Sequence, residues 1–311
     1  MNASSVPGTP TVPGPLTLSG PAAALLAPVP ARAPVPTTRP AANAWLPTAP
    51  CTPAACLGPP RGPAAVPRGV LRLAALAALL AAGSALSPFA RWLPAAPVRR
   101  WCRWTVRAAG VRVRITGSAP SGGGLLLVAD HVSWLDVPLL AAVRPARMLA
   151  KSEIRRWPVA GWLAERGGAL FIDRDRLRTL PATVAVIAGQ LRAGGAVAVF
   201  PEGSTWCGGA RGRFRRAAFQ AALDAGAAVQ PIRVRYRDGG AAPGTAAAFI
   251  GEDSLFASVW RVVTARRLIA EVEVCPVIPP GRHPDRRSLA LAARPPDPEV
   301  PVGRHTSPGE R

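Results

Sequence analysis

Between residues 111 and 274 the apolar positions follow two rhythms. VRVRIT (111–116) changes side at every residue, as a half-buried strand does. LLLVA (125–129), ALFID (169–173) and AVAVF (196–200) are unbroken apolar runs, the pattern of strands covered on both faces. Further strands are predicted at 146–150, at VQPIRVRY (229–236) and at LIAEVEV (268–274). Helices are predicted at 135–143, 176–193, 214–225 and 254–265, with a glycine-bearing loop at 208–212. Strands separated by helix-length intervals predict an α/β fold with a mixed, mostly parallel sheet flanked by helices. Pro231 cannot donate to a ladder, so its strand is expected at an edge or a bulge.

Ahead of this series lies a different pattern. Residues 73–90 (LAALAALLAAGSALSPFA) carry no charge and are bounded by Arg72 and Arg91. Their length is near the lower limit for crossing a bilayer, and Gly83, Ser84 and Pro88 weaken the helix. Arginines flank both sides, so loop charge sets no orientation. A helix dipping into one leaflet with both ends cytoplasmic fits that symmetry; a single span and a cleaved signal peptide are the alternatives. Trp92, Trp101 and Trp104 interleave with Arg99, Arg100, Arg103 and Arg107, the composition of a helix at lipid headgroups. A solvated basic helix with its tryptophans on the core is the alternative. An N-terminal membrane-associated helical segment is therefore expected over residues 69–109.

Residues 1–68 contain 17 prolines and no periodic apolar face, and are expected to be a disordered Pro/Ala-rich tail. A translation start near Val66 or Val70 would account for that segment equally well. The chain past Pro295 is again Pro-rich, and a loose tail is expected over 295–311.

Charge sharpens the choice of partner. The 311 residues carry a net +21, and all but one of the 38 basic residues are arginine. Arginine bias beside abundant Ala, Gly and Pro points to a GC-rich genome, so the count itself says little. Its distribution says more: no Asp or Glu precedes Asp130, while 12 arginines do. A basic front half beside an apolar run favours an anionic membrane surface over nucleic acid. No nucleic-acid partner is expected, since neither stacking aromatics on a sheet nor zinc fingers follow. Cys51, Cys56, Cys102, Cys207 and Cys275 are odd in number and lack CxxC spacing, which disfavours a disulfide framework and a zinc site. No metal is expected.

Candidate chemistry sits at strand ends. DHVSWLD (130–136) follows LLLVA directly. A tight turn there brings Asp136 to His131, where the carboxylate would accept the ring N–H and leave the other nitrogen to take a proton. Ser133 is expected to cap a helix starting near Trp134. FPEGST (200–205) follows AVAVF, with Glu202 and the amides around Gly203 expected to form a polar pocket floor for substrate hydroxyls. GALFIDR (168–174) ends in Arg174, suited to a phosphate. His283 and His305 lie in Pro-flanked stretches and read as surface residues, and no G-x-S-x-G elbow surrounds Ser204, which argues against a serine hydrolase. A non-catalytic lipid-binding protein would need neither His131 nor Glu202.

These blocks, with Gln230-Pro231-Ile232 as a fourth, resemble in order those of the 1-acylglycerol-3-phosphate acyltransferase family over residues 95–280. His131 and Asp136 are similar to its H-x4-D block, 168–174 to its GxxFIDR block and 200–204 to its FPEGT block; Lys151, Pro158 and Gly161 fall in its K…P…G run. The resemblance implies an α/β acyltransferase domain over 110–294 and an enzyme of phospholipid biosynthesis. It would move a fatty acyl group from acyl-CoA or acyl carrier protein to a lysolipid hydroxyl, with no cofactor beyond that co-substrate. His131 would be the base, Asp136 its orienting partner, and Arg174, Glu202, Gly203, Ser204 and Thr205 the substrate-binding residues. The acceptor implied first is 1-acylglycerol-3-phosphate, on the cytoplasmic face of the cell membrane, the enzyme being anchored or peripheral there. One position departs: family members using that acceptor usually carry Arg after FPEGT, whereas this chain has Thr205, similar to members acylating lyso-ornithine lipids and other lysolipids. Arg211, Arg213 and Arg215 stand in the same loop as alternative charges.

Overall fold

The apolar runs become the interior of a seven-stranded sheet. The structure, a computed structural model, describes residues 49–58, 62–157, 159–174, 176–239 and 244–294. Its strands are β1 (Val111–Thr116), β2 (Leu125–Ala129), β3 (Arg147–Lys151), β4 (Leu170–Ile172), β5 (Ala196–Val199), β6 (Ala228–Arg237) and β7 (Leu268–Val274). They lie in the order β1-β7-β6-β2-β5-β3-β4, parallel throughout except for the β6–β7 pair. The mixed, mostly parallel sheet read from the pattern is the one present.

All five residues of β2 are buried, and their alternation builds two cores. Leu125, Leu127 and Ala129 join one cluster with α3 (Ala95–Ala108), α4 (Asp136–Val143) and α8 (Leu255–Thr264), through Val106, Leu139, Leu140 and Val262. Leu126 and Val128 join the other, with α6 (Leu180–Arg192), α7 (Ala217–Ala225) and α9 (Arg286–Ala292), through Ile187, Phe219 and Leu289. Side chains of opposite parity thus anchor helices to opposite faces.

Several boundaries differ from the sequence reading. The predicted helix from residue 176 is regular only from Leu180, and the one from Phe214 only from Ala217, because Arg215 N–H donates to Pro201 O at 2.9 Å and holds the chain in the preceding loop. Helices α5 (Ala160–Arg166) and α9 were not predicted; each is seven residues long, too short to show a periodic face. The N-cap of α9 is Asp285, which accepts from Arg287 and Ser288 amides at 2.6 and 2.9 Å. Pro231 lies in an internal strand, against the edge expectation, and beside an irregularity, as the bulge alternative required. Ile232 pairs with Val274 while Val229 bridges to Ile278, so three residues face two. Buried Gln230 donates to Cys275 O there at 2.5 Å.

Residues 1–48, 59–61, 158, 175, 240–243 and 295–311 lie outside the described residues, as therefore do most of the expected N-terminal tail, Pro158, His305 and the C-terminal tail. Disorder does not extend over all of 1–68. Thr52 caps α1 (Pro53–Cys56), Cys51 is buried in the core, and α2 (Val66–Leu86) begins before residue 68.

Residues 63–89 form a helical stretch long and apolar enough to cross a membrane, with mean hydropathy 1.9 and only 11% of its most apolar window buried. It is not detached from the sheet domain. The last turn of a helix leaves carbonyls without partners, and α2 supplies them to α8. Arg68 donates to Thr264 O at 2.7 Å, and Arg72 to Val263 O and Ala265 O at 3.0 and 2.5 Å. Gly69 allows this approach, since a Cβ there would stand 2.8 Å from Thr264 Cγ2. In α3, Trp101 lies over Gly83 while Trp104 is exposed beneath Arg100, and Val106 is fully buried. One side of that helix therefore packs inward, and the other presents Trp104 beside Arg100.

Arg72→Ala should therefore loosen α2 from α8, lowering stability by about 1–3 kcal/mol for lost hydrogen bonds to a charged donor. Limited proteolysis in detergent should cut between α2 and α3 sooner; an unchanged cleavage rate and melting temperature would contradict this docking.

Candidate active site

Parallel register brings the two main motifs together. β2 pairs with β5 with Val128 opposite Val199. The same offset, carried three residues past the strands, sets His131 opposite Glu202, and the His131 amide donates to Glu202 Oε2 at 2.9 Å. Glu202 Oε1 accepts from Gly212 N–H at 2.6 Å. This carboxylate is 3% exposed and both oxygens are spent on backbone. It is not the pocket floor expected from the sequence; it ties the loop after β5 to the loop after β2. Burial, and next the nearby Asp130 charge, push its carboxyl well above the usual range.

Asp136 sits at the first turn of α4 and is fully buried. Its Oδ2 accepts from His131 Nδ1, Val132 N–H and Ser133 N–H, each at 2.8 Å, and its Oδ1 from the Tyr236 hydroxyl at 2.6 Å. A carboxylate can only accept, so Nδ1 of His131 carries a proton, and in the neutral ring Nε2 is then the bare nitrogen. The imidazole stacks on Phe200, with centroids 3.9 Å apart and planes within 8°, and is 22% exposed. Ser133 does not cap α4 as expected; its hydroxyl accepts from Leu135 N–H at 3.3 Å, shaping the turn before a helix that starts at Asp136.

Tyr236 is the functional neighbour that sequence reasoning missed. It is the one tyrosine of the chain and lies a hundred residues from Asp136. Its position in a period-two strand was visible, but its partner depends on the order of strands. Burial, then the Asp136 charge, raise its pKa well above the ordinary phenol value, so it remains a donor.

The remaining predicted residues fall around the same loop. Arg174, just past β4, donates to Gly203 O, and Gly203 turns the chain with φ of 77°. Burial lowers the Arg174 pKa to about 10; Glu153 opposes that shift and the like charge of Arg215 adds to it. Lys151, at the end of β3, also feels the Arg174 charge, so three cations share one region. Ser204 Oγ is buried with no hydrogen-bond partner among the described residues, and Thr205 is half-buried beside it. Of the alternative loop cations, Arg211 is taken up in a buried ion pair with Asp130 at 3.3 Å, Arg213 is exposed, and Arg215 belongs to the Arg174 group. His283 is half-buried away from this loop.

Comparison with known proteins places the chain among acyltransferases. A family model described as acyltransferase matches residues 110–235. A lyso-ornithine lipid O-acyltransferase from Pseudomonas aeruginosa is 38% identical over 73% of this chain and 91% of its own. A 1-acyl-sn-glycerol-3-phosphate acyltransferase from Neisseria gonorrhoeae is 35% identical over 53% of this chain and 65% of its own. The crystal structure of the 1-acyl-sn-glycerophosphate acyltransferase PlsC from Thermotoga maritima has the same fold, with TM-score 0.54 and 17% identity over 74% of this chain and 92% of that one.

Tyr236→Phe removes one donor from a dry carboxylate and should lower stability by about 1–3 kcal/mol. Chemical denaturation in detergent measures it; an unchanged midpoint would mean the hydroxyl does not serve Asp136.

Proposed function

This chain belongs to the acyltransferase family, and from that premise we propose that it acylates the hydroxyl of a lysolipid carrying an anionic headgroup. The observation that carries this reading is the His131–Asp136 contact, in which a buried carboxylate occupies Nδ1 of a part-exposed ring, so that the neutral imidazole offers Nε2 as the base. Nε2 takes the acceptor's hydroxyl proton as its oxygen attacks the thioester carbonyl. The tetrahedral adduct then collapses with cleavage of the C–S bond, and the leaving thiolate recovers the proton from the imidazolium. Ester and free thiol are the products, and no group on the protein is acylated. A positioned base contributes about 10²–10⁴-fold to such a step.

Arg174, Lys151 and Arg215 supply a concentration of positive charge suited to the headgroup. Ser204 Oγ, which has no partner among the described residues, is the hydroxyl left for a substrate oxygen. The first acceptor is 1-acylglycerol-3-phosphate, whose phosphate matches this charge. A second reading, lyso-ornithine lipid with its carboxylate in that place, is favoured by Thr205 and by the extent of the Pseudomonas likeness. The donor is acyl-CoA or acyl carrier protein; both are anionic, and the basic surface suits either. Exposed Val70, Leu71, Leu86 and Leu93 along the helical hairpin, with Trp104, support docking on the cytoplasmic face of the cell membrane, where acceptor and product reside.

His131→Ala should reduce acyl transfer at least about 100-fold with the fold intact by circular dichroism; retained turnover would reject the base assignment. Purified protein given labelled acyl-CoA and a panel of lysolipids should label 1-acylglycerol-3-phosphate fastest. Exclusive labelling of lyso-ornithine lipid would establish the second acceptor, and no labelling of any lysolipid would reject the proposal.

A further inference from the structure

Three of the five cysteines meet at one place. Cys51 stands just ahead of the four-residue helix α1 and Cys56 is its last residue; the N-cap Thr52 accepts from Ala55 N–H at 3.3 Å, so both thiols project from one short segment. Cys207 comes from the loop after β5, about 150 residues later. Their three sulfurs lie within 4.8 Å of one another. Cys51 and Cys207 are buried and Cys56 is half-buried, so the group opens to one side. The spacing of the cysteines gave no sign of this, because the third ligand arrives through the fold.

We propose that Cys51, Cys56 and Cys207 form a three-thiolate site for a thiophilic divalent cation of the zinc class, with its fourth position open on the Cys56 side. Tetrahedral zinc–sulfur bonds of about 2.3 Å place sulfurs about 3.8 Å apart, so convergence from the observed spacing takes less than about 1 Å of movement. Thiolate sulfurs also need donors around them, and the amides of Gly209 and Ala210 point at Cys207. A disulfide would use two of the three thiols and strand the third; a cation uses all three. Three thiolates with a divalent ion leave a net charge of −1, small against the chain's net +21.

The site would pin the N-terminal segment to the loop that serves His131. Trp206, the residue before Cys207, donates its N–H to His131 O at 2.7 Å, and Arg211 a few residues on pairs with Asp130. A cross-link over so long a stretch of chain restricts the unfolded state and stabilises the loop without entering the chemistry.

The test uses the full chain, purified reduced and free of metal, and titrated anaerobically with Co²⁺. We expect one equivalent to bind with a sulfur-to-cobalt charge-transfer band and the intense d–d bands of tetrahedral cobalt, both displaced by Zn²⁺. Cys56→Ser, at the half-exposed position, should lose these bands while keeping the parent circular dichroism; Cys102→Ser should retain them. Zn²⁺ should raise the melting temperature of the parent and not of Cys56→Ser. Absence of a thiolate–cobalt band in the parent, its survival in Cys56→Ser, or a Cys51–Cys207 disulfide in freshly isolated protein would overturn the proposal. None of these readouts passes through acyl transfer, so they stand or fall apart from the proposed reaction.

Discussion

A carboxylate cut off from water must find donors or give up its charge, and Asp136 finds four. Two are the amides of Val132 and Ser133, which curl the chain after β2 into a tight turn. One is the imidazole of His131, whose tautomer that contact sets. The fourth is Tyr236, reaching across from β6. Loop shape, proton position and strand packing therefore converge on one buried side chain. Removing it would leave a turn without its centre and an imidazole free to rotate.

Glu202 performs the same service one strand away. It receives the amide of His131 on one oxygen and that of Gly212 on the other, so two loops at the carboxyl edge of the sheet are joined through one buried group. Beneath it the Arg211–Asp130 ion pair is also buried, and breaking such a pair costs about 3–5 kcal/mol where merely exposed pairs contribute little. The protein thus places its expensive polar groups under the loops rather than in the open site. What remains is the part-exposed imidazole of His131, the buried Ser204 hydroxyl beside it in the same loop region and a concentration of cations, the groups that the proposed acyl transfer would use.

Much of this was legible in the chain. The unbroken run at β2 and the alternation at β1 state how many faces each strand buries, and strand ends followed by DHVSWLD and FPEGST marked where chemistry collects. The role of Glu202 was not legible, because a carboxylate facing substrate and one facing backbone amides look alike until the β2–β5 register is known. Tyr236 and the cysteine cluster escaped for a related reason: their partners lie about a hundred residues or more away. Short α5 and α9 escaped because seven residues make fewer than two full turns, too few to display a helical period. Arg68 and Arg72 read as flanks of an apolar run, yet they cap α8, a use of arginine that only tertiary structure reveals.

The central claim concerns a proton's position, and nitrogen chemical shifts of the imidazole report it directly. With ¹⁵N-labelled protein in detergent, above the pH at which histidine titrates, the His131 resonances can be assigned by their loss in a His131 variant. The account predicts a protonated Nδ1, with its hydrogen shifted downfield by the short contact to Asp136, and a bare Nε2. A proton found on Nε2 instead would contradict it, since the ring would then have no lone pair to offer an incoming hydroxyl.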